Sequence, residues 1–179
     1  MGILVPDLMC ESVYDIPKTY FSDNGIKSIF LDIDNTLVSY NDKHPTESNR
    51  AWLTELAESG IKVVLVSNNS KERVETFAEG LGVDYIYDAR KPLTKAYKSL
   101  ISRHKLDKKH IAVVGDQIFT DVLAGKLIGA LTVVVEPIEK VENAFFRLKR
   151  VGEVPFVAYY RFKHRNDGKN KGKDGDKNE

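Results

Sequence analysis

Four short stretches of this sequence hold residues that could do chemistry together: Asp32-Ile33-Asp34-Asn35-Thr36, Ser67-Asn68-Asn69, Lys91-Pro92, and Gly115-Asp116 with Asp121 five residues further on. Asp32 and Asp34, two positions apart, can both be aimed into one crevice. Asp32, Asp34 and Asp116 brought together would repel one another unless a cation sat among them. Hard oxygen donors without His or Cys suit Mg²⁺. A serine hydroxyl, free backbone N–H groups at a helix start and one lysine are what a phosphoryl group needs. An aspartate nucleophile, Mg²⁺ and phosphate ligands together describe phosphoryl transfer.

These stretches work as one site only if the fold gathers them, because up to 89 residues separate Asp32 from Asp121. Apolar, β-branched runs at 28–33, 61–66, 111–114 and 131–135 read as buried parallel strands, with a weaker strand at 84–87. Helical patterns fill the spaces: Thr46 to Ser59, with Trp52, Leu53, Leu56 and Ala57 on one face; Ser70 to Leu81; Pro92 to about His104; and Phe119 to Ile128. The alternation predicts an α/β fold, a Rossmann-like, doubly wound parallel sheet with helices on both faces. In such a sheet the ligand crevice lies at the carboxyl ends of the strands, where all four stretches end.

Each stretch alone has a plainer reading, as a turn, a helix cap or a strand exit. Their order and placement make the set specific. Asp-x-Asp-x-Thr, Ser-Asn, Lys-Pro and Gly-Asp-x-x-x-x-Asp resemble the motifs of the haloacid dehalogenase superfamily of aspartate-nucleophile phosphatases, over residues 28–136. More narrowly, Asp32-Ile33-Asp34-Asn35-Thr36-Leu37 with Ser67-Asn68-Asn69, Arg90-Lys91-Pro92 and Gly115 to Asp121 resembles the YqeG group of subclass IIIA, itself similar to the mitochondrial phosphatidylglycerophosphate phosphatases. The resemblance implies that Asp32 attacks phosphorus and becomes an aspartyl phosphate. Asp34 would protonate the leaving oxygen, then activate water, and lend its backbone carbonyl to the metal. Lys91 would offset charge on Asp32 and the phosphoryl group. Thr36, which also steadies the turn, would join Ser67 and Asn68 in phosphate binding. Asp32, Asp34 and Asp116 would hold Mg²⁺, with Asp121 in support. Asn69 and Arg90, beside motif residues, are further candidates for substrate contact.

The rest of the chain narrows the substrate. Superfamily members usually carry a cap domain after the first or second motif. Here only 35 residues lead from Asp32 to Ser67 and 24 from Ser67 to Lys91, too few for one. An open crevice suits a phosphate on something large, and the resemblance points to phosphatidylglycerophosphate as a lipid headgroup at a membrane. The alternatives are a soluble or macromolecular phosphate, or a non-catalytic module that binds a phosphorylated ligand or partner. A homo-oligomer could supply a lid instead. Residues 145–163 interleave Phe145, Phe146, Phe156, Tyr159, Tyr160 and Phe162 with basic residues; they could lie on an anionic membrane, or Phe145 and Leu148 could pack on the sheet with the bases solvated, while 156–163 could equally form a terminal strand or meet a partner subunit.

With 27 basic and 26 acidic residues, no strongly basic nucleic-acid binder is expected. One cysteine, Cys10, excludes a disulfide scaffold or a multi-cysteine zinc module. With no secretory h-region and no span of about 18 apolar residues, the chain is expected to be cytoplasmic, with peripheral contact at the inner membrane face as an option. The phosphatase domain is expected over 1–163, with residues 1–27 wrapping a sheet edge, a helix from Ile138 through Leu148, and a disordered charged tail at 164–179.

Overall fold

The structure is a computed structural model that describes residues 2–139 and 152–162. Six strands form one parallel sheet: β1 Leu8–Cys10, β2 Ser28–Leu31, β3 Lys62–Val66, β4 Asp84–Ile86, β5 Ile111–Gly115 and β6 Leu131–Val135. Their order is β1-β6-β5-β2-β3-β4, and every pair is parallel. The central strands are apolar on both faces because both are covered. Ile29 and Leu31 of β2 face α1 (Tyr20–Asp23), α2 (Glu47–Glu58) and α3 (Lys71–Ala78), where Phe21, Leu53, Leu56, Val74 and Phe77 are buried. Phe30, between them, faces α4 (Lys95–Arg103) and α5 (Leu123–Ile128), against Tyr97, Leu100, Ala124 and Ile128. This is the doubly wound α/β architecture that the strand and helix periodicities predict.

The connections run outward from β2 to β3 and β4, then return across the sheet to β5 on the other side of β2. The reversal parts the chain connections above β2 and β5 and leaves a crevice at their carboxyl ends. No extra domain interrupts the path: between β2 and β3 lie one turn and α2, and between β3 and β4 only α3.

Three parts differ from the periodicity reading. The N-terminal segment supplies β1, which pairs Leu8 with Val133 and Cys10 with Val135 at the sheet edge. Asp7 secures it: its Oδ2 accepts from Thr132 N and Oγ1 at 2.8 Å, and its Oδ1 meets Lys126 at 2.6 Å. The fourth helix starts at Lys95, not Pro92, because the chain first turns to aim Lys91 inward, with Leu93 N donating to Arg90 O. Residues 152–162 form a helix, α6, and not a strand. Glu153, Phe156, Val157 and Tyr160 face inward at helical spacing, and the Tyr160 hydroxyl accepts from Met9 N. Val154, Tyr159 and Phe162 point outward, which obscures the periodicity in sequence. On α2, Leu53 and Leu56 are buried, Trp52 is half-buried edge-on to Tyr14, and Ala57 is exposed. The expected helix through Val141, Phe145 and Leu148 and the tail at 164–179 lie outside the described residues.

α5 packs close to the sheet at Gly125, where a Cβ would come within 2.5 Å of Thr132 Cγ2 and 3.1 Å of Val113. Gly125→Ala should therefore destabilise the fold by about 1–3 kcal/mol through overpacking, read as a lower urea midpoint with an unchanged m-value.

Candidate active site

Asp32 follows directly on β2, and its N–H still bonds Val114 O of β5. The chain then folds back tightly. The N–H groups of Thr36, Leu37 and Val38 all turn to Ile33 O, and Asn35 adopts a left-handed φ of 63°. Asn is one of the few residues with a side chain that tolerates this conformation. The buried Asn49 fixes the turn from α2: its Nδ2 donates to Leu37 O at 2.9 Å, and its Oδ1 completes a capping box with Thr46. This geometry sends Asp32 and Asp34 in different directions.

Asp32 meets Lys91. The ammonium lies 2.6 Å from Asp32 Oδ1 and 2.7 Å from Asp121 Oδ1, and its side chain is 3% exposed. Asp121 is held on its other oxygen by Thr120 Oγ1 and Gln117 N. It enters from a π-helical turn, Ile118–Val122, that leads into α5. Gly115 makes room, since a Cβ there would stand 2.2 Å from Asp121 Cγ. Burial works against the Lys91 ammonium, but Asp121 and Asp32 outweigh it and hold its pKa well above the usual lysine range. Burial pushes the Asp32 carboxyl up, to about 8; Lys91 pulls it back, and Asp121 and Asp116 repel it.

Oxygens of Asp32, Asp116 and Asp121 all lie within 4.8 Å of one another, and all three residues are buried. With Lys91, these four side chains sum formally to −2. A buried, hard, all-oxygen donor set with that charge fits a divalent cation such as Mg²⁺, whose presence would also favour the ionised form of Asp32. The Asp34 carboxylate is not part of this group.

Asp34 instead meets Arg73 of α3, whose Nη2 and Nε donate to Oδ1 at 2.8 and 3.1 Å. Its Oδ2 receives Asn69 Nδ2 at 3.3 Å and Ser67 Oγ at 3.5 Å. The Thr36 hydroxyl is turned to Asp32 Oδ2 at 3.5 Å. Asn68 clamps the lysine loop with its side chain: Oδ1 accepts from Lys91 N at 2.6 Å, and Nδ2 donates to Lys91 O. The pocket that results, about 270 Å³, is lined by Asp32, Asp34, Ser67, Asn68, Asn69 and Lys91, with Tyr40, Gln117 and Thr120 at its sides. Burial raises the Tyr40 hydroxyl to about 12, so it stands at the pocket as a neutral phenol. Arg90 is not among the lining residues; its guanidinium is exposed and paired with Asp88.

The fold thus gathers Asp32, Asp34, Thr36, Ser67, Asn68, Lys91, Asp116 and Asp121 at one sheet edge. Sequence reasoning missed Arg73, Tyr40 and the side-chain role of Asn68. Arg73 follows the helix cap Ser70 by three positions, a spacing that any surface arginine can share. Its partner is 39 residues away, beyond the reach of local pattern.

The model of the haloacid dehalogenase-like hydrolase family matches residues 42–129. The chain is 37% identical over 146 residues to the probable phosphatase YqeG of Bacillus subtilis (strain 168), an alignment that covers 82% of this chain and 85% of that one. Its fold is similar to crystal structures of a hypothetical protein from Xanthomonas campestris (TM-score 0.53, 20% identity, 68% of this chain and 71% of that one) and of a protein from Listeria monocytogenes serotype 4b (TM-score 0.52, 14% identity, 65% and 85%). The chain belongs to the haloacid dehalogenase-like hydrolases, within the YqeG family of phosphatases. It is accordingly a phosphoric monoester hydrolase.

Gly115→Ala tests the arrangement. Its methyl group would displace Asp121 and break one of the two Lys91 ion pairs, so kcat should fall about 10²-fold while circular dichroism still reports a folded sheet.

Proposed function

We propose that this protein is a Mg²⁺-dependent phosphomonoesterase that works through an aspartyl phosphate on Asp32 and acts on phosphatidylglycerophosphate at a membrane surface. The observation that carries the chemistry is the buried Asp32–Lys91–Asp121 group beside Asp116, facing a pocket whose far side is Asp34 with Ser67.

In this reading an Asp32 oxygen attacks phosphorus, and the bond from phosphorus to the leaving oxygen breaks. Asp34, as the acid, gives its proton to that oxygen. Asp34, now a carboxylate, takes a proton from water as the water oxygen attacks the aspartyl phosphate. The Asp32–phosphorus bond breaks, inorganic phosphate leaves and Asp32 is restored. Lys91 sits where it can neutralise charge on Asp32 and the phosphoryl oxygens throughout. The Ser67 hydroxyl and the Asn68 N–H hold phosphoryl oxygens, while Thr36 keeps Asp32 in orientation. Mg²⁺, held by Asp32, Asp116 and the Asp34 carbonyl with Asp121 beside them, would supply electrostatic stabilisation of the phosphoryl group.

The lipid assignment is supported by three features. No segment between β2 and β4 is large enough to close over the pocket. Leu93, two residues from Lys91, is 61% exposed, and α6 directs Val154, Tyr159 and Phe162 outward. The motifs also resemble those of phosphatidylglycerophosphate phosphatases. Among the described residues no helix is long and apolar enough to cross a membrane, so contact with lipid would be peripheral.

Phosphate release with Mg²⁺ is the test, comparing wild type with Asp32→Asn on phosphatidylglycerophosphate vesicles and on soluble phosphomonoesters. Wild type should turn over the lipid far faster, and Asp32→Asn should be inactive on everything. Preference for soluble esters would remove the lipid assignment. Full activity in Asp32→Asn would refute the covalent mechanism. Removal of divalent ions by a chelator should abolish turnover, and added Mg²⁺ should restore it. Asp34→Asn should slow ester hydrolysis about 10²–10⁴-fold, less so for esters with good leaving groups.

A further inference from the structure

Arg73 is not needed to explain phosphate binding, yet it is held more firmly than a surface arginine requires. Its guanidinium is nearly buried, with 11% of the side chain exposed. Nε and Nη2 converge on Asp34 Oδ1, Nη1 donates to Lys43 O at 2.9 Å, and the guanidinium carbon lies 5.8 Å from the centre of the Phe77 ring, one helical turn further along α3. The helix that carries it is capped three residues earlier by Ser70, whose Oγ accepts from Arg73 N. Only a planar fork can make these bonds at once.

The two oxygens of Asp34 are thereby made different. Oδ1 is enclosed by Arg73, which does not line the pocket. Among the described residues Oδ2 is reached by Ser67 Oγ and Asn69 Nδ2, at 3.5 and 3.3 Å, and both of those residues do line it. We propose that Arg73 is a positioning residue that turns Asp34 so that Oδ2, and not Oδ1, exchanges the proton with the leaving group and then with water. This rests on the acid–base reading of Asp34 given above. In proton transfer a fixed atom matters because a displacement of about 1 Å can cost about 10²-fold in rate.

Arg73 also tethers the loop at Lys43, so a purely architectural role must be separable from the positioning one. The experiment measures kcat and KM for Arg73→Ala, Arg73→Lys, Asp34→Asn and the Arg73→Ala/Asp34→Asn double variant. The substrates are 4-nitrophenyl phosphate and an alkyl phosphomonoester that the wild type turns over. Thermal melts confirm that each variant is folded; should Arg73→Ala not fold, Arg73→Lys, which keeps the charge but loses the fork, carries the same comparison. Arg73→Ala should lower kcat on the alkyl ester about 10²-fold, with KM little changed, and on the aryl ester by about threefold or less, because nitrophenolate needs little help from an acid. The double variant should be no slower than Asp34→Asn by more than about threefold. Equal losses on both esters, or losses that multiply in the double variant, would overturn the positioning role and leave Arg73 architectural. If Asp34→Asn itself keeps full activity on the alkyl ester, the acid role of Asp34 falls, and the Arg73 proposal with it.

Discussion

The Lys91 ammonium, closed between Asp32 and Asp121, is the interaction on which the rest of the structure depends. A buried charge of this kind is favourable only when its partners are held in good geometry, since desolvation costs several kcal/mol per ion. Each partner comes from a different part of the fold: Asp32 from the end of the central strand β2, Asp121 from the turn after β5, Lys91 from beyond the edge strand β4. The lysine has farthest to come. Its loop is bound to the end of β3 by Asp88 N to Asn69 O, Ala89 N to Ser67 O and the two-way clamp of Asn68 on the Lys91 backbone. Asp88 and Arg90 take left-handed φ values of 45° and 55° in the same stretch, a conformation that residues with side chains adopt at a cost. Unfavourable backbone is thus concentrated in the segment that delivers the ammonium.

Two cations divide the acids of the site between them. Asp32 and Asp34 are two residues apart, yet the turn fixed by Ile33 O, Asn35 and Asn49 sends one to Lys91 and the other to Arg73. A nucleophile must be ionised and a leaving-group acid must carry a proton, so one shared environment would suit neither well. Distinct partners give the two neighbouring carboxylates separate environments. The reversal of strand order between β2 and β5 opens the crevice in which the two environments face each other.

Much of this was legible in the sequence. Strands β2, β3, β5 and β6 are apolar on both faces and end at the motif residues, so periodicity alone places Asp32, Ser67 and Asp116 at one edge. Lys91 follows from the weak strand read at 84–87 and from the motif order. What was not legible depends on partners distant in sequence. β1 is three residues long, too short for a pattern, and its place at the edge is set by Asp7 gripping Thr132 and Lys126. Arg73 reads locally as an ordinary residue in the first turn of a helix. Asn68 was read as a phosphate ligand through its backbone N–H, whereas its side-chain bond to Lys91 crosses 23 residues. The metal site was read as Asp32, the Asp34 backbone carbonyl and Asp116 with Asp121 in support, and the carboxylates that converge are those of Asp32, Asp116 and Asp121. A two-residue spacing says that both carboxylates can face the crevice; which cation each one meets is decided by the turn.

The site also extends beyond the segment that bears the motifs. A π-helical turn begins with backbone N–H groups that have no partner within it. In the turn that bears Asp121, those of Ile118 and Phe119 donate to Glu153 Oε1 at 2.8 and 3.3 Å. Glu153 is itself buried and opens α6, which is anchored at its far end by Tyr160 on Met9 N in β1. A carboxylate at the start of such a turn is favoured electrostatically as well as by its hydrogen bonds. Because Asp116 precedes the turn that it holds and Asp121 lies within it, the C-terminal helix is joined to the geometry of the acidic cluster and, through Asp121, to Lys91 and Asp32. Residues of β1 and α6, which look peripheral to the motifs, therefore help set their spacing.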